Sequence, residues 1–451
     1  MNTYLQKQKN EIAVGLDIGT TKIVVIVGRK NQYGKLEILG SGKTKSLGVY
    51  RGIVNNIKLT IQSIKEAIDI AESQCGIKIK NVTAGIAGQH IRSMHHSDYI
   101  TRNNSEEMID EKDIEKLKNQ VYSLTMQPGE EIIHVLPQEY KVDSQNETTE
   151  PIGLCGSRLE ASFHVVLGQV PHITNIGRCV KASGLNLVGL ILESIASSSS
   201  ILTEDEKEAG VALIDIGGGT TDICIFKDGI IRHTAVIPFG GNIITEDVKI
   251  GCSIIEKHAE KLKIIFGSAI PEENSDNEVV AIPSINGREP KEISLKMLAS
   301  IIQVRLKEII NLINIELRSY GCDEQKKKLI AGIVLTGGGS NLKHIEKLIE
   351  YQTGIDTRIG ICNINLKNNT SEDILKYDYS TSIGLLLNGI EELHFSNDSV
   401  SKIYTKNIIE KQKNMKEYDK TIEIINKSTQ KTNRLFSNFY NRIINYLNEN
   451  E

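Results

Sequence analysis

No run of about 18 apolar residues occurs anywhere in the sequence, so no segment reads as a membrane-spanning helix. No CxxC pair occurs either. The seven cysteines (Cys75, Cys155, Cys179, Cys224, Cys252, Cys322 and Cys362) are scattered and odd in number. That excludes a disulfide framework and a cysteine zinc site, and it fits a reducing cytoplasm. Positive charge is not in excess: the formal net charge is -4, and no global basic field is present to recruit nucleic acid. The N-terminal MNTYLQKQKNE has no apolar core behind its lysines and is expected not to be a secretory signal. No GxxxxGK(S/T) motif is present, which excludes a P-loop. No GxGxxG opens a helix after a strand, which disfavours a dinucleotide fold. The histidines, His95 and His96 included, show no metal-ligand spacing.

What is present suits two large lobes. A chain of 451 residues exceeds one compact core, and its 39% hydrophobic content is enough to bury a real one. From Ile12 the order is strand, turn, strand (IAVGLD, IGTT, KIVVIVG), then a third strand, LEILGSGK. An amphipathic helix follows over Leu59 to Gln74, with Ile61, Ile64, Ile68 and Ala71 on one side, and then a strand, NVTAGIAG. This β-β-β-α-β order is that of a ribonuclease-H-like half. Residues 89–164 break the pattern with a charged helix (EEMIDEKDIEKLKNQVYSL) and strand-like pieces (EEIIHVLPQEYKVD, RLEASFHVVLG). They read as an inserted α+β subdomain, whose charged helix is expected to be a solvent face. Within it, Pro137-Gln138-Glu139-Tyr140 reads as a structural turn and strand. A helix over Pro171 to Ser183, a strand NLVGLIL and a helix ESIASSSSIL complete the first half.

From Gly210 the opening recurs. VALIDIGGGTTDICIFKDG follows the logic of AVGLDIGTTKIVVIVGRK, with Asp17 and Asp215 in matching places. This is an internal duplication of one fold unit. A helical region, NIITEDVKIGCSIIEKHAEKLKIIFG, comes next. A long helix follows, with Leu298, Ile301, Ile302, Ile309, Leu312 and Ile313 at helical spacing. GIVLTGGGSNLKHIEKLIEYQTG reads as strand, turn and helix, and the folded pattern is expected to end near Asn388. Residues 390–430 are polar and read as a flexible linker.

The duplicated turns carry chemistry. A triphosphate needs main-chain N–H donors at close range, and glycine lets the backbone approach. Asp17-Ile18-Gly19-Thr20-Thr21-Lys22 and Asp215-Ile216-Gly217-Gly218-Gly219-Thr220-Thr221-Asp222 each combine such a turn with hydroxyls and a strand-end carboxylate. Asp17 and Asp215 are the candidates to hold Mg²⁺, largely through water. Thr336-Gly337-Gly338-Gly339-Ser340 forms a third glycine turn that could close over adenine and ribose. One such turn alone would read as a tight turn; three in this order point to nucleotide binding. Hydrolysis would need a group that orients water in line with the terminal phosphate. Thr221 could help, and Glu193, at the start of ESIASS, resembles the acid that bacterial actins often carry there, although a Glu in that place also complements a helix dipole.

VGLDIGTTK, SLGVYRGIVNN, HVLPQEY, PIGLCGSRLE, LTEDEKEAGVALIDIGGGTTD, IRHTAVIPFGG, GREPKEI, AGIVLTGGGSNL and TSIGLLLNG together resemble the FtsA family of bacterial division proteins. That family lies within the actin, sugar-kinase and heat-shock-chaperone ATPase superfamily. The resemblance runs from about Glu11 to Gly389 and resumes at the C-terminus. It implies duplicated actin-like lobes divided into subdomain 1A (11–88 and 165–208), inserted subdomain 1C of SHS2 type (89–164), 2A (209–239 and 325–389) and 2B (240–324). It also implies ATP in the interlobe cleft, self-association into filaments, attachment to FtsZ chiefly through 2B, and contacts of 1C with other division proteins. By the same resemblance Glu260 and Lys263 match a Glu-x-x-Lys pair that helps hold adenosine; without it they would read as an exposed ion pair. Arg288 and Arg305 are expected to be surface charges, with Arg305 the first choice to face an acidic FtsZ tail. Competing readings are a small-molecule kinase, a chaperone ATPase and a pilus-assembly adaptor of related fold. Turnover, if any, is expected to be slow.

The C-terminal segment 431–451 places Leu435, Phe436, Phe439, Tyr440, Ile443, Ile444 and Leu447 on one helical face. Lys431, Arg434 and Arg442 lie on or near the polar side, with no acid before Glu449. Such a helix can bury its apolar face in the headgroup boundary of an anionic membrane. The alternative is a helix packed on the protein's own core, but a polar linker of about 40 residues separates it from that core. Changing Phe436 and Phe439 to Glu is expected to abolish flotation with anionic liposomes; unchanged flotation would remove the tether.

Overall fold

The computed structural model describes residues 12–143, 145–275, 277–283, 290–323, 328–362 and 377–395. Arg288, most of the expected linker and the whole C-terminal segment lie outside the described residues.

The first lobe opens with β1 (Ala13–Ile18), β2 (Lys22–Lys30) and β3 (Leu36–Lys45), followed by a small hairpin of β4 (Val49–Tyr50) and β5 (Ile53–Val54). Helix α1 (Ile57–Cys75) starts on an Asn56 side-chain cap and stops at Gly76 in the left-handed region. Strand β6 (Asn81–Ile86) completes the first half-unit.

The insertion begins with β7 (Ile91–Thr101), then α2 (Glu111–Tyr122), β8 (Glu130–Val142) and β9 (Arg158–Gln169). Its three-stranded sheet runs β7-β9-β8. It has a core of its own, around Phe163, Leu159, Leu117 and Val121. Strand β7 was not apparent in the sequence, because most of IRSMHHSDYIT is polar and its pairing with β9 sets the strand. Helix α2 starts later than its charged pattern suggests, because Asp110 and Asp113 form a capping box at its N-terminus. The insertion also grips both lobes. Gln138 Nε2 donates to the Ile231 carbonyl at 2.6 Å and Arg232 pairs with Glu139 at 2.8 Å. His134 Nε2 accepts the Leu192 amide at 3.0 Å, so the HVLPQEY stretch is a joint.

The chain returns through α3 (Val170–Ala182), β10 (Asn186–Leu192), α4 (Glu193–Ile201) and α5 (Glu204–Ala209). The second lobe then repeats the first: β11 (Val211–Ile216), β12 (Thr221–Lys227) and β13 (Ile230–Ile237). Helices α6 (Gly241–Gly251) and α7 (Glu256–Phe266), a hairpin of β14 (Val279–Ile282) and β15 (Lys291–Ser294), and the long α8 (Leu295–Tyr320) follow. The lobe ends with β16 (Ile333–Thr336), α9 (Ile345–Thr353) and β17 (Thr357–Ile359), and α10 (Ser380–Phe395) follows. Helix α10 continues past Asn388, burying Ile390 at 1% exposure, because its apolar face is needed between the sheets.

The duplication is visible in the strand order. The first sheet runs β3-β2-β1-β6-β10 and the second β13-β12-β11-β16-β17. In each, the first two strands are antiparallel and the next neighbour is parallel. Strands β1 and β11 are buried along their whole length, as expected of central strands covered on both faces. The two lobes have separate outer cores, and a third cluster joins the sheets through Val24, Ile26, Leu213, Val334 and Leu386.

Helix α10 lies so close to α4 that a Cβ on Gly384 would drive into the Ala196 carbonyl. Gly384→Ala is therefore expected to lower stability by about 1–3 kcal/mol through overpacking, measured by urea unfolding. An unchanged midpoint would contradict this packing.

Candidate functional site: a cleft of buried carboxylates

Each turn joins the central strand of its sheet to the next strand. The registers are equivalent: Ile18 opposes Ile23, and Ile216 opposes Thr221. The turns therefore have the same length, and Thr20 and Thr21 occupy the places of Gly218 and Gly219. The Thr-Thr pairs of the two copies do not superpose. Thr20 and Thr21 lie in the first turn, whereas Thr221 already begins β12. Its side chain is fully buried, and its hydroxyl donates to the Phe239 carbonyl at 2.8 Å. That hydroxyl is committed to holding the end of β13, and this corrects the expectation that Thr221 orients water.

The two turns meet. A Cβ on Gly218 would strike the Thr21 side chain, and one on Gly219 would sit 2.6 Å from Thr20 Oγ1. Only glycine permits that approach. Gly19 lies equally close to its own turn, 2.9 Å from the Lys22 carbonyl at the would-be Cβ. Behind the second turn, the amides of Gly241 and Asn242 donate to the Gly217 and Gly218 carbonyls at 2.9 and 2.8 Å. The N-terminus of α6 thus fixes the turn.

Four carboxyl groups collect behind these turns: Asp17, Glu193, Asp215 and Asp222. Asp17 and Asp215 are 6% and 8% exposed. Burial pushes the Asp17 carboxyl up to about 7, with Lys22 opposing and Asp215 and Asp378 reinforcing. Asp222 is pushed up to about 8 by burial and by Asp215, its direct cross-strand partner. Burial, then Asp17, Asp222 and Asp215, raise Glu193 well above the usual carboxylate range. Burial also raises Asp215, but hydrogen bonds from Ser197 Oγ at 2.8 Å and Thr381 Oγ1 at 3.3 Å, together with Lys22, oppose it. Asp222 accepts from Thr220 Oγ1 at 2.9 Å through one oxygen, while its other, Oδ1, is buried without a partner.

A bound cation fits this chemistry, because crowded carboxyls and an orphaned oxygen are what positive charge relieves. Among the described residues no three acid, histidine or cysteine side chains converge as direct ligands. The donor set therefore suits an ion that keeps its water, as Mg²⁺ does. The basic side chain beside Asp17 is Lys22, which pairs with Asp378 at 3.0 Å; Lys43 holds the same carboxylate at 2.9 Å.

Gly337 and Gly339 serve packing. A Cβ on either would strike Asp215 or Ile216, so this turn seats the strand end that carries Asp215. Ser340 Oγ donates to the Gly337 carbonyl at 2.7 Å. Gly338 is open, with only Asp378 near a would-be Cβ. Glu260 and Lys263 pair at 2.8 Å. Lys263 is buried and also donates to the Gly241 carbonyl at 2.8 Å and Thr245 Oγ1 at 2.7 Å. The pair therefore braces the helix start behind the second turn and is not a free surface pair. Arg305 is not a simple surface charge either. Its guanidinium is held by Asp247 at 2.5 and 3.0 Å and by Glu308, so an acidic partner would have to displace its own carboxylates. Asp222, Ser197, Thr381 and Asp378 belong to the site but were not singled out by sequence. Only Asp222 gave a signal, seven residues after Asp215 where the first copy has Val24.

A family model described as "Cell division protein FtsA" matches residues 212–384, and one described as "SHS2 domain inserted in FTSA" matches residues 88–167. The cell division protein FtsA of Pseudomonas aeruginosa is 39% identical over 386 residues, which is 85% of this chain and 91% of that protein. That of Escherichia coli K12 is 34% identical over 396 residues, 86% and 92% of the two chains. Among solved structures, a chain of a PilM-PilN type IV pilus biogenesis complex matches 84% of this chain and 98% of its own length. Its TM-score is 0.61 at 15% identity, a likeness that shows the fold alone. The fold is actin-like, with an SHS2 insertion.

The raised carboxyls predict a pH dependence for the ligand-free protein. A carboxyl whose pKa is higher folded than unfolded binds more protons in the native state, so stability falls as pH rises between the two values. For Asp17 and Asp222 that window runs from about 4 to about 7 and 8. The loss is on the order of 1.4 kcal/mol per pH unit for each displaced carboxyl. Urea unfolding should show stability decreasing from pH 5 to pH 8, less steeply in Asp222→Asn and in the presence of Mg²⁺. Parallel slopes in the wild type and the variant would contradict the assignment.

Proposed function

The chain belongs to the FtsA family of bacterial cell-division proteins, and from that premise we propose that it is an ATP-dependent adaptor that tethers FtsZ filaments to the cytoplasmic face of the membrane. The observation that carries the nucleotide part is the meeting of two duplicated glycine turns over Asp17, Asp215 and Asp222. In this reading the amides of Gly19 to Lys22 and Gly218 to Thr220 face the phosphates. Asp17 and Asp215 hold the waters of a Mg²⁺ ion, which neutralises phosphate charge when bound. Glu260 and Lys263 reach the ribose side, and the backbone at Gly338 the adenosine.

Nucleotide then acts mainly as a conformational ligand. The lobes join through the α4–α10 seam, and Asp215 is held by one residue from each of those helices, Ser197 and Thr381. A ligand that draws Asp17 and Asp215 toward one cation biases that seam, and with it the surfaces through which copies of the chain associate. Glu193 begins α4 inside the carboxyl cluster, which supports assigning to it the orientation of water. Burial and the neighbouring carboxyls raise its carboxyl and so disfavour the charged form without ligand, which supports slow hydrolysis at most.

Membrane attachment is assigned to Leu435, Phe436, Phe439, Tyr440, Ile443, Ile444 and Leu447, which a polar stretch of sequence separates from the described residues. Among the described residues no helix is long and apolar enough to cross a membrane. FtsZ is assigned to the α6–α8 region, with Arg305 available only if its acid partners yield. The insertion at 89–164 is assigned to other division proteins.

The test is cosedimentation of the full chain with anionic liposomes and FtsZ. FtsZ should pellet with lipid only when this protein is present, and more of it with Mg·ATP than without nucleotide. FtsZ remaining in the supernatant under every condition would overturn the adaptor reading.

A further inference from the structure

The hairpin that joins β4 to β5 turns on two residues with positive φ, Arg51 at 47° and Gly52 at 73°. Glycine, asparagine and aspartate favour such positions, and a long side chain is strained there. A strained residue that persists at a cleft points to a use for its side chain. The hairpin lies against both glycine turns. The Gly52 amide donates to Thr20 Oγ1 of the first turn at 3.0 Å. A Cβ on Gly219 of the second turn would meet the Arg51 backbone at 2.8 Å. Arg51 is thus the residue at which the first lobe, the first turn and the second turn meet.

Its side chain is poised there as well. The guanidinium lies 5.3 Å from the Tyr50 ring and 5.5 Å from the Phe239 ring. Tyr50 belongs to the first lobe, and Phe239 follows β13, the edge strand of the second sheet. Ring stacking holds a guanidinium without using its five N–H donors. Among the described residues no carboxylate pairs with it and no hydrogen bond engages it. Beside it lies a cleft of about 170 Å³, lined by Tyr50, Arg51, Ile53, Asn55 and Gln89. That cleft is too small for a nucleoside and has room for a phosphate group.

We propose that Arg51 recognises the terminal phosphate of the nucleotide held between the two turns, and so makes the cleft prefer a nucleoside triphosphate to a diphosphate. Lys22, the other cation at the turns, is already paired with Asp378; Arg51 keeps its donors free. A guanidinium stacked on rings from both lobes also ties the presence of that phosphate to lobe position, since Phe239 closes the strand that Thr221 anchors.

The proposal rests on the nucleotide reading above, and calorimetric titration of the full chain with Mg·ATP and Mg·ADP separates the two. The wild type should bind ATP more tightly than ADP. Arg51→Gly should lose ATP affinity by about 10-fold to 100-fold, the range of a charge-assisted contact, and keep its ADP affinity. Its melting temperature without ligand should be equal or higher, because glycine relieves the positive φ. Arg51→Lys, which keeps the charge and loses the fork, should fall between. An unchanged ATP-to-ADP ratio in Arg51→Gly, or an equal loss of both nucleotides, would overturn the role of Arg51 and leave nucleotide binding standing. A wild-type protein that binds neither would remove the underlying reading and this one with it.

Discussion

Carboxyl groups repel one another, and a dry interior makes the repulsion stronger. Asp17, Asp215, Asp222 and Glu193 share one cleft with a single lysine beside them, and the surrounding structure is arranged around that strain. Ser197 and Thr381 donate to Asp215, Thr220 donates to Asp222, and Lys22 faces Asp17 while paired with Asp378. Ser197 shares α4 with Glu193, while Thr381 and Asp378 come from segments that carry none of the four carboxyls. Holding the cluster therefore draws both sheets, α4 and α10 into one object. The turns with their glycines lie over that object, where a bound cation would discharge it.

The outer parts are built apart from this cluster. The insertion has a core of its own and reaches the lobes through the joint at His134, Gln138 and Glu139. It touches β13 and the amide that precedes Glu193, so it senses both lobes without entering the cleft. In the second lobe, α6 connects the back of the second turn to α7 through Lys263, and to α8 through Asp247 and Arg305. The insertion thus meets β10 and β13, and α6 couples the second turn to α7 and α8.

Much of the fold was legible in the sequence because duplication doubles the signal. Two buried strands with Asp at the end, each followed by a glycine turn, gave the sheets and their pairing. The long helix α8 was readable from Leu298, Ile302 and Ile309. What failed did so for physical reasons. Strand β7 is mostly polar, so neither period shows. Helix α10 passes Asn388 because the seam between the sheets, not its local pattern, sets its end. Thr221 looked like the counterpart of Thr21 by letter, but strand register, which the letters do not carry, places it in β12. Ser197, Thr381 and Asp378 come from segments remote in sequence and leave no local mark. Arg305 looked like a free surface cation because Asp247, which holds it, is 58 residues away.

The central claim is that both turns, acting together, hold the phosphates. Hydrogen–deuterium exchange of the full chain with and without Mg·ATP tests it directly, since the amides of Gly19 to Lys22 and Gly218 to Thr220 are the donors that would be used. The account predicts that both sets slow together when nucleotide is added. Protection of one turn alone, or of neither, would contradict it.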